Sequence, residues 1–557
     1  MRLLHVKILG IKKGFRGLPI GSEFSFDTTE LDEGKLEPIC LVGLNGSGKS
    51  NLLEVICEIF YYLDHYVLAE GKPARKFKTE FGFEISYMLD VTFQLARTGS
   101  LGKIGKLDWE GTRDAIVSIV KKPNELPQVA LLPTDNKLKV GYTSDPNIFI
   151  LPNHVIAYSS GQNELISNPF IKSSYRYFQQ LEKQLAKDLN IELGLNRLFF
   201  LDYESSQIAT ICNYLFAEKN NSHLITKELE LDKERPVDSF SITIHFRNYR
   251  GNMIPLPLSI NKAIEDLKTC ATVFEEVKEM VNKKEEIVEL KMAFWFSKEL
   301  RDAFQRKFGS AISLFRDLYY LNLLNIHHHP VETRNRIKEA PSMTYDNLSY
   351  MVPVPLRSKL IFVLAKLRFN KAGETEIIKY KNLSDGEHQL MHVLGSIMLL
   401  NTSGSILLYD EPETHFNPEW RSQLITLINK ATKEKEAVDK IRKQEILITS
   451  HSPFIVSDCR RERVFIFDKG EAKNPKINTF GTSVNILTEE IFGKKESISG
   501  QSIEKIDEIK QSPLNTLNEI QKAKEEARVL GESVEKILLF RELLIKENKI
   551  KEDDKKL

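Results

Sequence analysis

The sequence predicts an α/β fold. One parallel sheet is assembled from two separated parts of the chain and joined by an antiparallel β lobe, a mostly helical insertion and a helical C-terminal region. Three observations predict it. The stretch "EPICLVGLNGSGKSNLLEVICEIFYYL", Glu37 to Leu63, reads as apolar strand, glycine turn and helix. The continuous apolar runs "SILLYDEPE", "EILITSHSP" and "RVFIFDKG", after residue 400, read as buried strands separated by helices, the pattern of a parallel sheet. Between residues 80 and 157, "FGFEISYML", "VTFQLA", "KVGYT", "NIFIL" and "HVIAYSS" recur as short strand-like runs divided by Gly, Pro and Asp, which predicts the antiparallel lobe.

The elements follow in order. "LLHVKILGI" and "EFSFDTTEL" alternate like strands, and Leu52, Ile56, Ile59, Phe60 and Leu63 put one helix face against a sheet. Residues 165–325 read as mostly helical, interrupted by the strand-like "SFSITIHFRN". The longest helical-looking stretch is "INKAIEDLKTCATVFEEVKEMVNKKEEIVELKMAFWFSKEL", which sustains no coiled-coil heptad. "KLIFVLAKLRF" reads as a strand. Beyond residue 475 come turns and then helices, with Leu514, Leu517, Ile520, Val534, Leu538 and Leu544 as the expected apolar ladder. The expected organisation is an N-terminal head part over 1–165, the insertion over 166–340, a C-terminal head part over 341–475 and the helical region over 476–557.

Composition narrows the function classes. With 41% hydrophobic and 28% charged residues, the 557-residue chain reads as a folded soluble protein. Lys+Arg 78 against Asp+Glu 77 excludes a global basic field, so a nucleic-acid surface has to be a local patch. Cys40, Cys57, Cys212, Cys270 and Cys459 show no CxxC spacing and lie in or near apolar runs, as expected of buried thiols in a reducing compartment. No window approaches the ~20 apolar residues of a membrane span, and the N-terminus does not read as a signal peptide. A cytoplasmic protein without a membrane partner is expected.

The chemistry concentrates in a few motifs. "GLNGSGKS", Gly43 to Ser50, matches G-x-x-x-x-G-K-[ST] between an apolar strand and a helix, the setting this phosphate loop requires. Its glycines let backbone amides turn inward on an anion, Lys49 reaches terminal phosphates, and Ser50 is a magnesium ligand. "ILLYDEPE" leaves Asp410 and Glu411 at a strand's carboxyl end, where Asp410 serves the magnesium shell and Glu411 the attacking water. His451, ending "ILITSH", suits a hydrogen bond to the γ-phosphate. "KNLSDGEHQLMHVL" opens a helix with Ser384 and Gly386, a second anion seat far from the phosphate loop.

Taken in order, "GLNGSGKS", the glutamine turn "SSGQNE", "LSDGEHQ", "LLYDEP" and "TSH" resemble the ATP-binding-cassette family in its SMC, RecF and OLD-like branch. The resemblance covers roughly residues 1–165 and 340–470. It implies a cassette ATPase head that takes ATP and Mg2+ and assembles head to tail with itself. On that reading Gly43, Asn45, Gly46, Ser47, Gly48, Lys49, Ser50 and Asn51 hold the nucleotide. Gln162 senses magnesium and water, and Ser384, Gly386 and Glu387 contribute from the neighbouring subunit. Asp385 departs from the Gly commoner in transporter cassettes.

Within the branch, the soluble cassette, the medium insertion, "LSDGEHQ", "DEPETHFNP" and "TFGTSVNILTEEIFG" resemble PtuA-like ATPases of Septu and related retron defence systems. That resemblance implies a PtuB-like HNH endonuclease in trans and a role in antiphage defence, with DNA or a retron RNA/DNA as a further partner. A RecF-like repair ATPase acting directly on DNA and a nucleotide-controlled scaffold with little turnover remain the alternatives. Neither an HNH nor a Toprim pattern occurs here. His327, His328 and His329 are expected in an exposed loop rather than on a metal. "GKPARKFK", with Lys72, Arg75, Lys76 and Lys78, is read as a solvated loop, with a DNA-facing patch as its alternative.

Overall fold

Five strands that end at the same edge determine where chemistry can occur. In the computed structural model, β3 (Ile39–Gly43), β8 (Val155–Ser159), β15 (Ile406–Asp410), β16 (Glu445–Ser450) and β17 (Val464–Asp468) pair in parallel. With β9 (Leu198–Phe200) and β18 (Glu471–Lys473) they form a sheet of order β18-β17-β3-β16-β15-β8-β9. β3 and β16 are buried throughout, as parallel strands covered on both faces must be. The structure describes residues 1–10, 15–26, 36–72, 81–90, 114–133, 140–161, 164–188, 190, 194–248, 250–281, 284–341, 347–374, 376–400, 404–432, 444–494 and 498–554. They divide into two compact units, Met1–Asn478 and Thr479–Leu557.

The antiparallel lobe takes the order β2-β1-β4-β5-β6-β7 from Glu23–Ser25, Arg2–Leu9, Gly82–Asp90, Asp114–Lys121, Gln128–Pro133 and Val140–Thr143. Two expected members of the lobe differ. "HVIAYSS" joins the parallel sheet as β8, and "NIFIL" carries a single 3-10 turn, Pro146–Ile148, in place of a strand. "VTFQLA" lies outside the described residues.

The helix Lys49–Leu68 does not present one apolar face, as expected, but is buried nearly all round. It shares one core with the lobe and the parallel sheet through residues such as Val6, Leu41, Ile56, Ile85 and Leu408. Its three buried acids each meet a base from another segment: Glu54 pairs with Arg16, Glu58 with Lys172 at 2.9 Å, and Asp64 with Arg197 at 2.7 Å. Losing one member of such a pair strands a buried charge, so the Glu58–Lys172 pair constrains how the helix Asn168–Leu185 seats on the phosphate-loop helix.

The insertion holds more strand than the sequence suggested. The long helical-looking stretch is helical only over Leu258–Cys270 and from Lys298 onward. Between them β11 (Val273–Val281) and β12 (Lys284–Trp295) form a hairpin that joins β10 (Val237–His245), β13 (Phe362–Asn370) and β14 (Ile377–Lys379) in a second antiparallel sheet. The reason is a shared period: Val273, Val277 and Val281 recur every fourth residue, a spacing that fits one helical turn and two strand repeats equally well. Partner strands decide, burying Leu290, Met292 and Phe294 on one face and setting Lys278 3.8 Å from Glu285 on the hairpin.

Outcomes at other positions are mixed. All five cysteines are buried, and none forms a disulfide. His327, His328 and His329 are not in an exposed loop. His329 is buried with Nδ1 2.6 Å from the Tyr175 hydroxyl, and His327 packs edge-on to Phe178. Burial lowers both imidazoles to about 4, so they are neutral packing groups at physiological pH. Of the basic stretch, only Lys72 lies among the described residues. In the unit Thr479–Leu557, Ile506, Ile509, Ile520, Ala523, Ala527, Leu539 and Leu543 form the core, while Leu517, Val534, Leu538 and Leu544 of the expected ladder stand exposed. The doublets Leu538-Leu539 and Leu543-Leu544 supply two apolar stripes, and packing selects the other one.

Candidate nucleotide site

Backbone geometry builds the phosphate loop first. Gly43, Gly46 and Gly48 all have φ in the left-handed region. At Gly43 a Cβ would lie 2.5 Å from the Phe467 carbonyl oxygen, so no larger residue fits. Lys49 Nζ donates to the carbonyls of Gly43 at 3.0 Å and Leu44 at 3.1 Å, and Ser47 Oγ is buried without a partner among the described residues. Asn45 is exposed on the loop. Asn51 departs from expectation: its amide donates to the Arg16 carbonyl and ties the 15–18 turn onto the loop.

Register then gathers the acidic side. Asp410 pairs with Thr449 on β16 and Ser159 on β8, which brings three polar strand ends into one row. Asp410 Oδ1 accepts from Ser50 Oγ at 2.7 Å and from Thr449 Oγ1 at 2.6 Å, and Oδ2 from Ser159 Oγ at 3.4 Å. Burial raises the Asp410 pKa, and these donors oppose the rise. Burial likewise lowers that of Lys49, against the pull of Glu411 and Asp410.

Glu411 stands at φ 51, a conformation uncommon for a non-glycine residue, held by its N–H donating to Thr449 O at 3.2 Å and Oγ1 at 2.9 Å. His451 Nε2 lies 3.3 Å from Glu411 Oε1, within ion-pair reach but without hydrogen-bond alignment, and the ring holds the carboxyl below its ordinary value. Lys49, Ser50, Asp410, Glu411 and His451 therefore come together as one cluster. Gln162 lies outside the described residues.

The second anion seat is a helix cap. Ser384 caps Asp385–Leu399: Ser384 Oγ accepts from the Glu387 N–H at 3.3 Å, while Glu387 Oε2 accepts from the Ser384 N–H at 2.8 Å and its hydroxyl at 2.9 Å. Glu387 thus holds the turn. Ser384 and Asp385 are exposed beside an open concavity of about 490 Å³ that they line with Gly386, His415 and Trp420. A Cβ on Gly386 would lie 2.8 Å from the His415 carbonyl oxygen. Gln389, which sequence reasoning missed, bridges the helix to the turn after Asp410, donating to Glu411 O at 3.3 Å and accepting from the His415 N–H at 3.0 Å. Thr449 and Ser159 were missed as well. Their signal was a polar residue ending an apolar strand in register with Asp410.

Glu413 is a further buried acid. Its Oε1 accepts from Ser450 Oγ, its Oε2 has no partner among the described residues, and burial pushes the carboxyl up to about 7. An acid whose folded pKa exceeds its unfolded value favours folding while protonated, so stability falls as pH rises from the glutamate range to about 7 and stays low above it. The cost is on the order of 3 kcal/mol. Glu413→Gln removes it. The variant's melting temperature should gain on the wild type between about pH 5 and about pH 8, whereas a constant difference would mean the carboxyl does not titrate in that range.

The oxygen donors Ser50 and Asp410, together with a glycine cradle closed to side chains, fit a nucleotide with a magnesium ion, a hard cation taking oxygen ligands. A family model described as "AAA domain, putative AbiEii toxin, Type IV TA system" matches residues 227–457. Over that span the chain is similar to an AAA-type P-loop ATPase domain. The match spans less than half the chain; it contains Ser384, Asp410, Glu411 and His451, and begins downstream of the phosphate loop. The parallel sheet brings the phosphate loop to the matched span, because β3 pairs directly with β16 and β17. No curated protein matches the chain. Among the described residues no helix is long and apolar enough to cross a membrane.

Proposed function

We propose that this P-loop ATPase is an ATP-hydrolysing switch of the ABC/SMC-like type, completed head to tail by a second copy, whose state governs a separate HNH endonuclease in antiphage defence. One observation carries the enzymatic part: Lys49, Ser50, Asp410, Glu411 and His451, drawn from three segments far apart in sequence, converge at one sheet edge. Two supports favour the defence setting: the resemblance of "LSDGEHQ" and "DEPETHFNP" to PtuA-like ATPases, and the toxin–antitoxin description of the matching family.

In this reading Ser50 and Asp410 hold magnesium, which when bound neutralises charge on the phosphate oxygens. Lys49 and the loop amides stabilise the charge that develops on the transferred phosphoryl group. Glu411 orients the attacking water, and His451 orients Glu411. Ser384 and the Gly386 amide reach a phosphate held by the neighbouring copy. Strand scission belongs to the partner nuclease. With magnesium and ATP, turnover should be measurable and unaffected by linear duplex DNA. Stimulation by DNA would instead favour a repair ATPase, and ATP-dependent assembly with negligible turnover a scaffold.

A further inference from the structure

A large cavity lies away from the nucleotide site, within the insertion. It has a volume of about 1500 Å³ and is bounded by the helices His223–Glu228 and Lys298–Phe308 and by the far end of the hairpin strand β12. That exceeds the roughly 300–1,000 Å³ of pockets for drug-sized ligands, so an occupant would be extended.

Two features describe that occupant. The first is aromatic. Along β12 the buried side chains are Val288, Leu290, Met292 and Phe294, and Trp295 falls on the opposite face, 49% exposed, its backbone N–H donating to Thr272 Oγ1 at 3.1 Å. A large indole half exposed on the polar face of a strand contributes little to the core and offers a stacking surface. The second is charge. Lys227, Lys233, Arg235, Lys298 and Arg301 line the cavity against Glu230, Glu234 and Glu299. Lys233, Lys298 and Arg301 have no carboxylate within ion-pair distance among the described residues, and Arg235 reaches Asp238 only at 3.9 Å. Backbone and Ser297 hydrogen bonds at its helix start lower the Glu299 pKa and keep it anionic, and the five cations still outnumber the three carboxylates of the lining. A net cationic wall beside an exposed aromatic plane matches bases linked by phosphodiesters.

We propose that this cavity binds a short run of phosphodiester-linked nucleotides, with one base on Trp295 and the phosphates against Lys298 and Arg301. The same chemistry is offered by a free dinucleotide and by the end of a single strand. The test uses the full chain and fluorescence anisotropy with two labelled probes, the dinucleotide pApA and a five-residue oligoadenylate, at low and high salt. The site is supported if either probe binds, if Trp295→Ala weakens it roughly tenfold, and if Arg301→Glu weakens it further and flattens the salt dependence. Preference for the dinucleotide identifies a free ligand, and preference for the pentamer a strand end. Binding of a fluorescent ATP analogue should remain at wild-type level in both variants, and the exposed substitution Lys546→Glu should leave probe binding unchanged. The proposal is overturned if neither probe binds, if both cavity variants bind as wild type, or if Lys49→Ala alone removes binding, which would assign the probe to the phosphate loop.

Discussion

Glu411→Gln slows ATP turnover by about a hundredfold or more while ATP-loaded assemblies accumulate. A general base contributes roughly 10²- to 10⁴-fold, and this substitution removes the base while preserving shape. The geometry makes the loss specific. The Glu411 backbone at φ 51 is held by two contacts to Thr449, and Thr414 Oγ1 reaches its carbonyl at 3.0 Å, none of which depends on the carboxylate. The strand end therefore stays intact and nucleotide binding persists. Size-exclusion chromatography with ATP should show the variant in a larger, longer-lived species than the wild type. If hydrolysis persists at the wild-type rate with an unchanged elution profile, another group activates the water.

The second large effect tests whether the capped helix serves another copy. Lys49→Ala removes the phosphate-binding cation, and Ser384→Arg fills the open concavity beside Ser384, Asp385 and Gly386. Each variant alone should lose nearly all turnover. Mixed in equal amounts, they should recover roughly a quarter of wild-type activity: half of randomly paired dimers are mixed, and each mixed dimer holds one site with both intact surfaces. Full activity from Ser384→Arg alone, or no recovery on mixing, would sink the head-to-tail arrangement. The expectation does not rest on a free Ser384 side chain, whose hydroxyl is engaged with Glu387; a partner's phosphate would compete for that hydroxyl with a carboxylate already present.

Much of the site was legible because its chemistry is local. A phosphate loop needs its glycines and lysine at set spacing, and an acidic pair after four apolar residues can only emerge at a strand's end. Less legible was what depends on a neighbour. Thr449 and Ser159 matter because register sets them beside Asp410, and Gln389 because its helix passes over the Glu411 turn. The hairpin β11–β12 was hidden for a different reason, its four-residue apolar spacing being compatible with both helix and strand.

By itself the sequence determined the phosphate loop, the acidic strand end, the run of buried strands and the capped helix, since each follows from residues within a few positions of one another. Tertiary structure alone decided that the phosphate-loop helix is enclosed on nearly every side, that the exposed indole of Trp295 faces a cationic cavity, and which leucine of each doublet enters the C-terminal core. Those outcomes turn on which segment lies across from which, and burial and pairing energies are properties of the contact, carried by neither segment alone.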